Sequence, residues 1–247
     1  MKSLPLLPLL LACSLTLPST GCKDAPGKPK PGADAESQRP DQVLDFASLY
    51  QQNCVACHGQ NGQNGASISL SNPVYIAVAG ESNIQRIAAA GVPGTLMPGF
   101  GKAAGGMLTD QQIAVIAHGI VQTWGHPLSL NGQTLPAYAS STTGDPAQGQ
   151  KTFTTFCASC HGPDGAGTKA SPGSIVDPAY LALVNDQYLR STIISGRPES
   201  HMPDWRSYPS GSGSQPHILT DQEITDTVAW LATHRIATPG QPYQQHQ

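Results

Sequence analysis

Charge is scarce in this chain. Lys and Arg number 13 and Asp and Glu 16 among 247 residues, so that 12% are charged and the formal net charge is −3. No basic stripe stands out, which leaves nucleic-acid binding without an electrostatic footprint. Aromatic residues make up 6% and hydrophobic residues 38%, little apolar mass for a self-sufficient core. The apolar stretch from Leu4 to Leu17 is too short to cross a bilayer comfortably. Strand-like alternation of apolar and polar residues is hardly present, which argues against a β architecture. Gly (26) and Pro (22) are plentiful by contrast, and imply long ordered loops.

Cysteine is rare too, six in all, but four of the six fall in one pattern that occurs twice: Cys54-Val55-Ala56-Cys57-His58 and Cys157-Ala158-Ser159-Cys160-His161. CxxCH is the attachment signature of haem c. Two thiols add across the porphyrin vinyl groups and the adjacent imidazole takes one axial face of the iron. Zinc or a thioredoxin-like pair is the competing reading of a lone CxxC. Zinc would need further Cys or His pairs at matching spacing, and the two other cysteines, Cys13 and Cys22, lie in or beside the N-terminal apolar segment. The expectation is two covalent haems, held by Cys54, Cys57, Cys157 and Cys160, with His58 and His161 as proximal ligands.

The surroundings of the motifs repeat as well. A shift of 103 residues carries Cys54 onto Cys157, and a shift of 105 carries Asn72-Pro73-Val74-Tyr75 onto Asp177-Pro178-Ala179-Tyr180, Gly91 onto Gly196, Met97-Pro98 onto Met202-Pro203 and Phe100 onto Trp205. At a shift of 111, Leu108-Thr109-Asp110-Gln111 falls on Leu219-Thr220-Asp221-Gln222, so the second copy holds six extra residues, placed between Arg206 and His217. After Met1 the chain has three methionines, and the repeat superposes Met97 on Met202. A thioether is a soft neutral ligand that favours ferrous iron, so these two are the expected distal ligands. Met107 has no counterpart and reads as core filler. His118, His126, His201 and His217 read as surface or packing residues, with His201 placed beside Met202 where its titration would tune a haem.

Both halves resemble class I cytochrome c domains, over roughly residues 41–236. The resemblance implies an all-α fold in which each domain wraps a haem, with an N-terminal helix ending at CxxCH and a C-terminal helix crossing it. The residues agree. Leu44 to Gln52 and Pro146 to Thr155 lead into the motifs, and Thr109 and Thr220 are good N-caps followed by acidic first turns. Ile113, Ile116, Ala117, Ile120, Val121 and Trp124 recur at helical spacing, as do Ile224, Val228 and Leu231.

The implied organisation is a signal peptide over 1–21, a tether over 22–40, a first domain over 41–125, a linker over 126–144, a second domain over 145–236 and a polar tail over 237–247. Lys2 and the following Leu-rich stretch have the form of an export signal. Ser19-Thr20-Gly21-Cys22 resembles a lipoprotein cleavage site, which makes Cys22 the expected lipid anchor ahead of Cys13. The function that the resemblance implies is transfer of single electrons between respiratory or photosynthetic partners at the outer side of a bacterial cytoplasmic membrane, as a relay subunit or a tethered carrier. The alternatives are a small dihaem enzyme such as a peroxidase, or the cytochrome subunit of a periplasmic dehydrogenase. No nucleophile or paired-carboxylate constellation stands near the motifs, so no catalytic residue is expected.

Overall fold

The computed structural model describes residues 38–169, 173–206 and 218–237. Among them no strand forms; the pairing outside helices is two isolated bridges, Gly101 with Leu108 and Arg197 with Met202. The first half carries α1 (Phe46–Asn53), α2 (Val55–His58), α3 (Pro73–Ala90) and α4 (Asp110–Trp124). The second carries α5 (Pro146–Phe156), α6 (Ala158–His161), α7 (Pro178–Leu183), α8 (Asp186–Ser195) and α9 (Asp221–Ala232).

Local chemistry explains where these helices begin. Thr109 and Thr220 each accept from the backbone N–H three residues on, while Gln112 and Glu223 reach back to the Thr backbone, closing a capping box at both sites. Asn72 and Asp177 cap α3 and α7 ahead of a proline at the first helical position. The repeat extends to a break that the sequence pattern does not announce. Gly80 (φ 68°, ψ 159°) interrupts α3 at the position that corresponds to Asn185, the residue that separates α7 from α8 and caps α8.

Each half has its own core. Leu49, Tyr50, Tyr75, Ile76, Ile84, Ile113, Ile116 and Ile120 form the first; Phe153, Phe156, Leu181, Ile194, Trp205, Ile224, Trp230 and Leu231 belong to the second. The two crossings of N-terminal on C-terminal helix solve one problem with exchanged parts. In the first half Phe46 of α1 lies over Gly119 of α4, where an added Cβ would come within 2.2 Å of the Phe46 ring. In the second half the helices approach at Gly149 of α5, where a Cβ would stand 1.9 Å from the Asp226 carbonyl oxygen and 2.9 Å from the Cβ of Trp230. The repeat aligns Phe46 with Gly149 and Gly119 with Trp230, so the large and small partners have changed sides.

The halves are packed together, not merely joined. Tyr75, Ile76 and Ala79 of α3 face the first core, whereas Val74 and Val78 of the same helix are buried in the second. Asn72 Nδ2 donates to the Ser195 carbonyl at the end of α8 (2.9 Å). Residues 126–144 hold no helix and run against the second half. There Arg190, 3% exposed, donates through Nη2 and Nε to the Ala137 carbonyl (2.8 and 3.1 Å) and through Nη1 to Thr225 Oγ1 (3.0 Å), and pairs with Asp221. Gln187 Nε2 donates to the Tyr138 carbonyl (2.7 Å), and the Tyr138 ring contacts both cores.

One expectation is overturned here. Met107 is no core filler: it is 87% exposed, because it follows Gly105-Gly106 on the outside of the loop that leads to α4. The signal segment, Cys13, Cys22, most of the tether, His217 and nearly all of the tail lie outside the described residues.

Two candidate haem sites

Both CxxCH motifs are built alike. Cys54 (φ −118°, ψ −30°) and Cys157 (φ −116°, ψ −29°) close the preceding helix and open a single turn, α2 or α6, that ends at Gly59 or Gly162. Within each turn the first cysteine carbonyl accepts from the second cysteine N–H (3.2 and 3.1 Å) and from the histidine N–H (3.0 and 2.9 Å). Cysteines three apart therefore share one face of a turn, as two bonds to one porphyrin edge demand. Cys57 and Cys160 are exposed, while Cys54 and Cys157 are half-buried against their cores. Burial, reinforced by the neighbouring thiol, pushes Cys54 up to about 11 and Cys157 up to about 12. Thiols held so firmly protonated do not suit a thioredoxin-like pair, which works through a depressed pKa. Among the described residues no three His, Cys, Asp or Glu side chains converge as a zinc site would need.

The surroundings of both histidines favour a neutral imidazole. His58 is 7% exposed, and its Nδ1 lies 2.8 Å from the Ile68 carbonyl. A carbonyl only accepts, so Nδ1 carries the proton and Nε2 keeps its lone pair free. Burial moves the pKa of His58 below the ordinary imidazole value against the opposing pull of that hydrogen bond, which favours the neutral form a ligand needs. Burial lowers His161 as well. Among the described residues its buried Nδ1 has no partner; the repeat puts the match of Ile68 within 171–173, a stretch of which 171–172 lie outside the description.

The methionine loops share an anchoring scheme. Gly91 (φ 71°) and Gly196 (φ 65°) end α3 and α8, and the loop folds straight back on them: a Cβ would stand 2.8 Å from the Met97 carbonyl oxygen in one and 2.6 Å from that of Met202 in the other. A side chain there would displace the loop, and only glycine adopts that backbone without strain. The next residue ties the methionine itself, Val92 N–H to Met97 O (3.0 Å) and Arg197 N–H to Met202 O (2.9 Å). Further along, Phe100 N–H donates to Ala88 O (3.0 Å) and Trp205 N–H to Ile194 O (3.1 Å). Met202 packs on the second core together with Cys157; Met97 is half-buried on its loop. His118 pairs with Glu81 on the surface, and His126 and His201 are exposed. Gly91 and Gly196 were visible in the sequence only as matched positions. Tyr50, whose hydroxyl donates to the Gly59 carbonyl (2.8 Å) and whose ring meets Trp124 edge-on, carried no signal beyond a helical apolar position.

Comparison with known proteins agrees with the geometry in both halves. Residues 146–235 match the family model described as cytochrome c, and residues 41–118 match cytochrome c oxidase, cbb3-type, subunit III. The chain is a tandem two-haem cytochrome c. This cytochrome is all-α, and its cofactors are two covalent haems c. It is 30% identical over 192 residues to the cbb3-type cytochrome c oxidase subunit CcoP of Azospirillum sp. (strain B510), covering 69% of this chain and 60% of that one. To the CcoP subunits of Azospirillum brasilense and Cereibacter sphaeroides it is 29% and 25% identical, covering 68% and 65% of this chain and 59% and 53% of theirs. The cytochrome thus spans about three fifths or less of the length of these relatives. Among solved structures, a chain of the Kuenenia stuttgartiensis reducing HAO-like protein complex aligns at 16% identity and a TM-score of 0.41, covering 80% of this chain and 99% of that one. No helix among the described residues is long and apolar enough to cross a membrane.

Proposed function

We propose that this cytochrome relays single electrons between its two haems and redox partners of a membrane oxidoreductase complex, and that it performs no substrate chemistry of its own. Cys54 and Cys57 hold one porphyrin and Cys157 and Cys160 the other; His58 and His161 are the proximal ligands, Met97 and Met202 the distal ones. When bound, the haems supply a one-electron ferric/ferrous couple, and His/Met ligation raises its potential relative to two imidazoles. The polypeptide supplies fixed geometry. The Ile68 carbonyl holds the proton of His58 on Nδ1, and the Gly91 and Gly196 turns fix the backbone of each methionine loop, so little need reorganise when the charge on iron changes.

The observation that carries this reading is the duplication of the whole ligand frame. Both CxxCH turns share dihedral angles to within a few degrees and both Met-Pro loops share their anchoring bonds. With His58 and Met97 holding one haem and His161 and Met202 the other, no coordination position would remain open to peroxide or oxygen, which disfavours the peroxidase alternative. The kinship with CcoP subunits of cbb3-type oxidases favours a terminal oxidase as the complex. On this reading the chain sits on the outer side of the cytoplasmic membrane, anchored through lipid on Cys22. The test is extraction of native membranes in mild detergent, native-gel separation, haem staining and identification of co-migrating chains. Migration within a large oxidase band is the expected result; migration alone near 25.8 kDa would replace the fixed relay with a tethered carrier.

A further inference from the structure

The duplication provides an internal comparison, because two loops of common architecture carry opposite surface chemistry. Over 197–206 the second loop contains Arg197, Glu199, His201, Asp204 and Arg206; the residues aligned with them in the first loop are Val92, Gly94, Leu96, Gly99 and Gly101. Every titratable position of the second loop is uncharged and small or apolar in the first. In the second loop the charges serve one another. Arg197 pairs with Glu199 (3.2 Å), Arg206 pairs with Asp204 (2.6 Å), and the Arg206 guanidinium stacks 4.8 Å over the Trp205 ring and donates to the Ser129 carbonyl (2.9 Å). These groups are largely covered and internally neutralised, and that loop is closed upon itself.

The first loop has nothing comparable. Leu96, adjacent to Met97, is 77% exposed and Met107 is 87% exposed, the two largest exposures among the large hydrophobic side chains of the described residues. Gly99 approaches Ala104, Gly106 folds against Phe100, and Leu108 N–H donates to the Phe100 carbonyl (2.8 Å), which holds the whole stretch from the Met97 loop to Met107 in one body. Lys102 is the sole charge from Val92 to Met107. Two large flexible apolar side chains held in water beside a redox centre cost solvation unless something covers them.

The geometry points to the Met97 face of the first domain as the docking site for an electron-transfer protein whose own cofactor edge is ringed by uncharged, apolar side chains. This inference rests on the relay reading above and adds which of the two haem domains meets the outside partner, and by what chemistry. A partner ringed by lysines or carboxylates would have to strip water from those groups against a surface whose single charge from Val92 to Met107 is Lys102. An apolar partner loses nothing in the exchange and gains by covering Leu96 and Met107.

The test uses the full two-haem protein and two probes in stopped-flow electron exchange: a cupredoxin with an uncharged apolar rim around its copper, and a basic cytochrome c with a lysine-ringed haem edge. Leu96→Glu and Met107→Glu place a carboxylate on the proposed face, and His201→Glu does the same at the equivalent exposed site of the second loop. The expected result is exchange with the cupredoxin that changes by less than about twofold between low and high salt. That exchange should fall about tenfold in each first-loop variant, as 1.4 kcal/mol of unreturned desolvation requires. His201→Glu should leave it unchanged, and haem spectra should be preserved in all three. Unchanged exchange in both first-loop variants would overturn the assignment, as would a loss confined to His201→Glu or faster, steeply salt-dependent exchange with the basic cytochrome. Reversible haem reduction by dithionite without exchange with either protein would be a different failure, that of the relay reading itself.

Discussion

Substituting Gly149 by alanine isolates the tightest helix-on-helix approach at a glycine among the described residues. In an exposed helix the change would stabilise by about 0.8–1 kcal/mol through propensity alone. Here the new methyl would stand 1.9 Å from the Asp226 carbonyl oxygen, a backbone atom of α9 that cannot rotate away, and 2.9 Å from the Cβ of Trp230. To restore contact distance the two helices must separate by more than an ångström. That movement strains the bond from the Asp145 N–H to Asp226 Oδ1 (2.8 Å) and the stacking of Phe153 on Trp230, whose ring centroids lie 4.3 Å apart. Overpacking of this kind costs about 1–3 kcal/mol and more against fixed backbone, so sterics outweigh propensity by about 2 kcal/mol net. For a cooperative unit of some 200 residues this lowers Tm by about 4–8 °C. Two other glycines calibrate the scale. Gly119→Ala meets the Phe46 ring first, a side chain that can turn aside, and should lose less; Gly173, with nothing within 4 Å of its Cβ and no positive φ, should tolerate alanine with no measurable loss. Thermal unfolding of the haem-loaded protein, followed by Soret absorbance and far-ultraviolet circular dichroism, reads all three. Equal stability of the Gly149 and Gly173 variants would refute the steric argument.

Thr220→Ala removes the hydroxyl half of the α9 capping box and should cost about 1 kcal/mol in denaturant unfolding, with Thr220→Ser restoring most of it. Asp45 accepts from the Ser48 N–H at the start of α1, and that bond holds its carboxyl below the ordinary value of about 3.9. Because the folded pKa is the lower one, its contribution to stability is present above pH about 4 and is lost as pH falls through the folded value. Asp45→Asn should therefore flatten the acid limb of the stability profile and leave the neutral region nearly unchanged, as an acid titration of unfolding would record. Met202→Ala and Met97→Ala should each open one iron, so that the reduced variants bind carbon monoxide at one haem per chain while the wild type binds none; binding by the wild type would contradict two filled axial positions.

The amino-acid sequence makes the ends of each half legible and leaves the middle obscure. CxxCH, the Thr caps and the apolar faces of α4 and α9 are local patterns, each specified within a dozen residues, and all stand where the sequence places them. α3 is different. Val74 and Tyr75 stand out in the sequence only through the repeat, and nothing in the spacing of Val74, Tyr75, Ile76 and Val78 says that two of them serve another core. The exchange of Phe46 and Gly119 for Gly149 and Trp230 is hidden for a related reason, since size complementarity between helices appears only once they are paired. Met107 reads as buried because methionine usually is; its exposure follows from the loop that Gly105 and Gly106 permit.

The helix shared between the cores gives the pair a property that neither half would have alone. Val74 and Val78 are 6% and 9% exposed because the second half covers them, and the Asn72 carboxamide caps its own helix with one atom while donating to Ser195 with the other. A cut anywhere in 126–144 would hand the first fragment a bare valine ridge and the second an unfilled socket. α3 thus fixes one half against the other, and the separation of the two CxxCH sites is set by side-chain packing where a linker alone would leave it free to vary.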